Sequence, residues 1–232
     1  MSVTEFGEAR RVMSVSAALE RRCLVWLAVR LPSGISSDHL TLLALLAMLM
    51  TGASYYAARF NRFALFAAIV GLAMNWFGDS LDGTIARVRR QQRPRYGFYV
   101  DHVVDCFGVL FLVSGLAVSG YMSPLVAMGV LIALFMLLIE VYLAAYCLTV
   151  FRMSFWGIGP TELRLLLAIG TLALLSDPTV DILGRSYRLF DVGGVIAIAA
   201  IGFTVVVSVA RHVRALYLAE PLSPRHLLMP ES

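Results

Sequence analysis

Asp79-Ser80-Leu81-Asp82-Gly83-Thr84-Ile85-Ala86-Arg87 is followed, after nine intervening residues, by Gly97-Phe98-Tyr99-Val100-Asp101-His102-Val103-Val104-Asp105. Four carboxylates stand here within sequence oily enough to be buried in lipid. Ionised acids in a bilayer helix are costly, so they face a polar cavity, a partner charge or a metal. Asp79 and Asp82 are three residues apart, and Asp101 and Asp105 four apart. Both separations place side chains on one face of a helix. The five arginines between the pairs, Arg87, Arg89, Arg90, Arg93 and Arg95, mark a short aqueous loop, which makes the two helices antiparallel neighbours. At the α-helical rise, Asp82 and Asp101 lie roughly 6–8 Å below that loop, and Asp79 and Asp105 roughly 12 Å below it. The expectation is that all four acids meet at matching depth.

Carboxylates gathered this closely repel, and a divalent cation relieves the repulsion. Ligation by oxygen alone points to a hard ion such as Mg²⁺, Mn²⁺ or Ca²⁺. His102, the histidine nearest in sequence, faces about 100° away from Asp101 and is not favoured as a ligand.

The pattern Asp79-x2-Asp82-Gly83-x2-Ala86-Arg87-x9-Gly97-x3-Asp101-x3-Asp105 resembles the signature of the CDP-alcohol phosphotransferases, integral membrane enzymes of phospholipid synthesis. The string Gly34-Ile35-Ser36-Ser37-Asp38-His39-Leu40-Thr41 also resembles the family's approach to its first membrane helix, with Ser37 where a proline is common. The resemblance implies transfer of a phosphatidyl or other substituted phosphoryl group from a CDP-linked donor to an alcohol, with release of CMP. It implies Asp79, Asp82, Asp101 and Asp105 as metal ligands for Mg²⁺ or Mn²⁺, two ions in all, and Asp105 as the general base. It further implies donor contacts from Gly83, Ala86 and Gly97; Arg87, one turn beyond Gly83, is placed to hold a donor phosphate oxygen, and Asn75, on the helix face of Asp79 and Asp82, is a further donor candidate. Family members are commonly homodimers, which is the expectation here.

Composition agrees with the membrane reading. Of 232 residues, 59% are apolar and the mean hydropathy is +0.81, too oily for a soluble domain. The expected fold class is all-α integral membrane: six transmembrane helices and an N-terminal amphipathic interfacial helix. Residues 1–34 form the amphipathic juxtamembrane segment, with Val12, Val15, Ala18, Leu19, Cys23, Leu24 and Leu27 at helical spacing, ended by Pro32-Ser33-Gly34. The alternative is an extension that packs on the domain. Residues 35–215 form the catalytic domain, with spans near 39–58, 63–86, 97–119, 123–148, 160–177 and 191–213, each close to the roughly 20 residues a crossing needs. Residues 216–232 form a flexible tail. No cleavable signal peptide is expected, since the first thirty residues are charged throughout. Cys23, Cys106 and Cys147 are widely spaced and expected to be free thiols.

All nineteen basic residues are arginine. Fifteen fall on the side of the 87–96 loop, and Arg59, Arg62, Arg185 and Arg188 on the other. The positive-inside rule therefore puts that loop, both termini and the acids on the cytoplasmic side and accounts for the net charge of +4 without nucleic acid; the resemblance implies a bacterial inner membrane.

Acceptor candidates are Glu140, inside the fourth span, and Arg152, Glu162 and Arg164, around the start of the fifth. Pro160 and Glu162 suit a helix start, whereas Arg164 inside the span needs another reason. The arginines favour an anionic acceptor group and the glutamates a cationic one. The donor is expected to be CDP-diacylglycerol, with a CDP-choline or CDP-ethanolamine type of enzyme acting on diacylglycerol as the alternative. An aspartate-rich intramembrane prenyltransferase would distribute its acids over two separated helix pairs. A cation transporter would not gather them at one cytoplasmic end.

Overall fold

The computed structural model describes residues 17–148 and 159–220. Helix α1 spans Ala17–Arg30, α2 Ser37–Ala57, α3 Ala64–Val88, α4 Pro94–Ser119, α5 Pro124–Leu148 and α6 Pro160–Ser176. A hairpin of β1 (Thr179–Ile182) and β2 (Arg185–Arg188) leads into α7, Leu189–Ala219. Each of the six predicted spans thus carries one helix. Five, α2, α3, α4, α5 and α7, are long and apolar enough to cross a bilayer, and the protein is an integral membrane protein. Helix α6 has only 17 residues, short of the roughly 20 that a perpendicular crossing takes.

Helix boundaries follow local chemistry. The Ser36 hydroxyl accepts the His39 N–H, and His39 Nδ1 receives the Ser36 N–H, closing the start of α2 reciprocally. Prolines open α4, α5 and α6, where a missing N–H costs nothing. The predicted outside loop at 178–190 contains the antiparallel hairpin, with Thr179 opposite Arg188 and Ile182 opposite Arg185. Leu183 and Gly184 turn it with φ of 50° and 77°, the positive-φ pair that matches strand twist in a two-residue turn.

Helix α2 is the centre of the packing. It lies against both α3 and α4, while α3 and α4, consecutive and predicted to be direct neighbours, make little contact with each other. Small residues permit the wedge. A Cβ on Gly115 would come within 2.4 Å of Gly52 Cα, and one on Gly78 within 2.6 Å of the Leu40 carbonyl, so both crossings depend on backbone approach that any side chain would block. Because α2 holds α3 and α4 apart, their acid-bearing ends face one another across a gap rather than a packed seam.

Helix α1 docks Leu24 and Ala28 on Leu40, Leu81 and Ile85. Cys23, on the predicted apolar face, is exposed, and so are Val25, Trp26 and Val29. Residues 1–16 of the predicted amphipathic segment, and the last twelve of the predicted tail, lie outside the described residues. Arg89 ties the α1–α2 connection to the end of α3, its guanidinium donating to the carbonyls of Leu31, Pro32 and Ile35 at 2.9, 2.9 and 2.6 Å. Arg93 clamps both oxygens of Asp38 at 2.9 and 2.6 Å. These two arginines, which charge counting alone assigns to topology, also fasten the loop side of the bundle. At the far end, Arg59 donates to the Val118 carbonyl.

Candidate metal and phosphoryl-transfer site

Positions 75, 79 and 82 fall on one stripe of α3 by helical periodicity, and 101 and 105 on one stripe of α4. The gap beside α2 lets the two stripes converge. Asp79, Asp101 and Asp105 each offer a carboxylate oxygen, all within 4.8 Å of one another. Asp82 is drawn aside. Its Oδ2 accepts the Thr41 hydroxyl at 2.7 Å, its Oδ1 takes the Gly83 N–H, and its main-chain carbonyl accepts the Ser37 hydroxyl at 3.0 Å. Two side chains of α2 thus hold the acid that lies nearest the loop, leaving it within electrostatic reach of Asp79 and Asp101. The expected quartet is three converging acids and a fourth anchored to α2.

A cation reaches the cluster from α6. Arg164 Nη2 donates to Asp79 Oδ2 at 2.5 Å and Arg164 Nε to Asn75 Oδ1 at 2.7 Å. Asn75 Nδ2 in turn donates to the Ala44 carbonyl at 3.0 Å. The ion pair is largely shielded, with 16% of the Arg164 side chain and 23% of Asp79 exposed. This explains an arginine inside an apolar helix: its partner is an acid three helices earlier in the chain.

The remaining predicted residues separate into those beside the cluster and those away from it. Gly83 and Gly97 are open: an added Cβ would meet only Arg87 Nη1 at 3.4 Å in the first case and nothing within 4 Å in the second. Ala86 lines a cleft of about 370 Å³ with Ser36, Ser37, Arg89, Gln91 and Arg93. Arg87 is exposed, and its Nη2 donates to the Thr84 hydroxyl at 3.0 Å. Glu162 Oε2 accepts the Gly159 N–H at 2.8 Å at the start of α6, a helix-end contact. Glu140 lies between α5 and α7, its Oε1 bonded to the Ser208 hydroxyl at 2.9 Å and to His212 Nδ1 at 2.6 Å. Arg152 lies outside the described residues. Among the described acceptor candidates, Arg164 contacts the acid cluster.

His102 is buried, its ring between Phe98 and Tyr142 with centroids 3.9 and 4.4 Å away. Its Nδ1 is 3.4 Å from Asp101 Oδ2. Composition did not single out Thr41, Ser37 or Tyr142. Thr41 and Ser37 do sit in the Gly34–Thr41 string, and that spacing was the available signal for them.

The donor set suits a hard divalent cation. Three carboxylate oxygens from two helices converge, with a fourth acid adjacent and no sulfur ligand among them, the chemistry of Mg²⁺ and Mn²⁺ sites. A family model described as CDP-alcohol phosphatidyltransferase matches residues 35–209. That range covers α2 to most of α7, and so every acid of the cluster. No curated protein matches the chain.

Proposed function

Since the chain belongs to the CDP-alcohol phosphatidyltransferase family, we propose that it transfers a phosphatidyl group from CDP-diacylglycerol to an alcohol at the Asp79, Asp101 and Asp105 cluster, releasing CMP. The convergence of those three acids from α3 and α4 is the observation that carries this reading. The acceptor oxygen attacks the lipid-bearing phosphorus of the donor pyrophosphate. The bond from that phosphorus to the bridging oxygen breaks, and CMP leaves with the electron pair.

Asp79, Asp101 and Asp105, with Asp82 beside them, would hold Mg²⁺ or Mn²⁺, two ions in this proposal. When bound, such ions neutralise charge on the attacking and leaving oxygens of an in-line displacement. Asp105 takes the proton of the acceptor hydroxyl, the task of a positioned general base. Gly83 and Gly97 leave room for the donor to approach, since neither is packed against another helix. Ala86 and Arg87 continue that open face towards the loop, where an exposed guanidinium suits a donor phosphate oxygen. Thr41 and Ser37 keep Asp82 oriented from α2. The arginine distribution supports a site on the cytoplasmic face, where CDP-linked donors are met. A homodimer, and an anionic acceptor held partly by Arg164, belong to the same proposal.

The test is direct. Purified protein is incubated with CDP-diacylglycerol and Mg²⁺ or Mn²⁺ against inositol phosphate, glycerol phosphate and serine, and CMP is scored. CDP-choline and CDP-ethanolamine with diacylglycerol form a parallel arm. Metal-dependent CMP release with one alcohol is expected. Release only in the parallel arm would move the enzyme to the amino-alcohol class, and metal flux across vesicles without CMP release would overturn the proposal.

A further inference from the structure

The acid cluster carries its own cation. We propose that the Arg164 guanidinium acts as a built-in counter-charge that competes with divalent metal for Asp79, so that the site holds metal more weakly than its carboxylates alone would. This rests on the metal reading given above and concerns how tightly the site binds, a property the acid spacing does not contain.

Three observations support it. First, the guanidinium bonds Asp79 itself, at 2.5 Å on Oδ2, and lies within electrostatic reach of Asp105. It therefore acts on two of the three converging acids. Second, it is not a wandering surface charge. Nε is fixed by Asn75, and Asn75 is fixed by the α2 main chain at Ala44. The chain from α2 through α3 to α6 determines where the positive charge sits. Third, the arginine is mostly shielded from water, where a charge acts more strongly on its neighbours than at the surface. The four acids with Arg164 carry one negative charge fewer than the four acids alone. A guanidinium is a permanent charge with a planar fork matched to carboxylates, so this offset does not switch off with pH.

The sign of the effect separates this role from a purely orienting one. A partner that only fixed the rotamer of Asp79 would help the metal, and its loss would weaken binding by about 10–100-fold, the usual cost of losing an outer contact to a ligand. A competing charge predicts the reverse.

The experiment titrates Mn²⁺ into the purified full-length protein in detergent without nucleotide, and reads free Mn²⁺ by electron paramagnetic resonance. Arg164→Gln is expected to bind Mn²⁺ about tenfold more tightly than the wild type, the order of effect for removing one nearby partly shielded charge. Arg164→Lys, which keeps the charge, is expected to stay close to the wild type. Should Arg164→Gln not yield folded protein, Arg164→Met carries the same expectation. Unchanged or weaker binding in the neutral variant overturns the counter-charge. A wild type that binds no Mn²⁺ overturns the metal reading itself and the counter-charge with it.

Discussion

Two acidic regions of this bundle are built on opposite plans. Between α5 and α7, a single carboxylate, Glu140, is matched by a hydroxyl and an imidazole, Ser208 and His212, both on its Oε1. At the facing ends of α3 and α4, three carboxylates converge and a fourth stands by, with one guanidinium among them. The first is a polar clasp between two helices. Among the described residues, the second has more carboxylates than cations bonded to them, which is a condition for recruiting a metal. An acid inside a membrane helix is therefore interpreted by its company, and position within a span alone does not distinguish these two.

The contrast sharpens under substitution. Of the substitutions that separate rate from binding or stability, Asp105→Asn carries the largest expected effect. Asp105→Asn keeps three acids and Arg87, so donor binding measured with a CDP-linked lipid should persist, while the transfer rate falls by about 10²–10⁴-fold, the worth of a positioned base. Single-turnover kinetics read the two quantities separately. Loss of donor binding together with rate would make Asp105 chiefly a ligand.

Glu140→Gln should behave differently. It weakens the hydrogen bonds to Ser208 and His212 in a buried place, and a loss of stability of about 1–3 kcal/mol is expected, read as a lower thermal midpoint in detergent. Turnover at a temperature where the variant is folded should stay within about threefold of the wild type, since a surviving fold leaves the acid cluster intact. A large fall in turnover with unchanged stability would bring Glu140 back to the acceptor.

The smallest effect belongs to Thr41→Val, which removes the hydroxyl on Asp82 without changing shape. Loss of one buried hydrogen bond is worth about 1 kcal/mol, so a few-fold rise in the metal concentration for half-maximal activity is expected. No change in metal dependence would leave the Thr41 contact structural only.

Much of the acid region was legible from spacing. Separations of three and four residues on each side of an arginine-rich loop put Asp79, Asp82, Asp101 and Asp105 on two inward stripes, because helical periodicity is a local property of sequence. What periodicity lacks is which helices touch. Helix α2 wedges between α3 and α4 through Gly52, Gly78 and Gly115, and from there Thr41 turns Asp82 away from the other acids. Arg164 reaches Asp79 across 85 positions of chain, a distance no local pattern spans. Its place inside α6 was an anomaly in the sequence, and the anomaly pointed to a partner without naming it. Helix α6 reads as a span from its apolar residues; Glu162 and Arg164 occupy its opening turns, and its 17 residues leave the sixth crossing unconfirmed by length. The hairpin of β1 and β2 reads as a loop in sequence, because its strands have only four residues each and Arg185-Ser186-Tyr187-Arg188 offers a single aromatic residue among polar ones.

Acids from both helices would form one metal-dependent centre. Asp79→Asn and Asp101→Asn each remove one charge, from α3 and from α4, without changing side-chain shape. The decisive measurement is CMP release from CDP-diacylglycerol by each variant at saturating Mg²⁺ or Mn²⁺, in protein shown to be folded by its thermal midpoint. The account predicts that both are reduced to the background without enzyme. Turnover close to the wild type in either variant would contradict it.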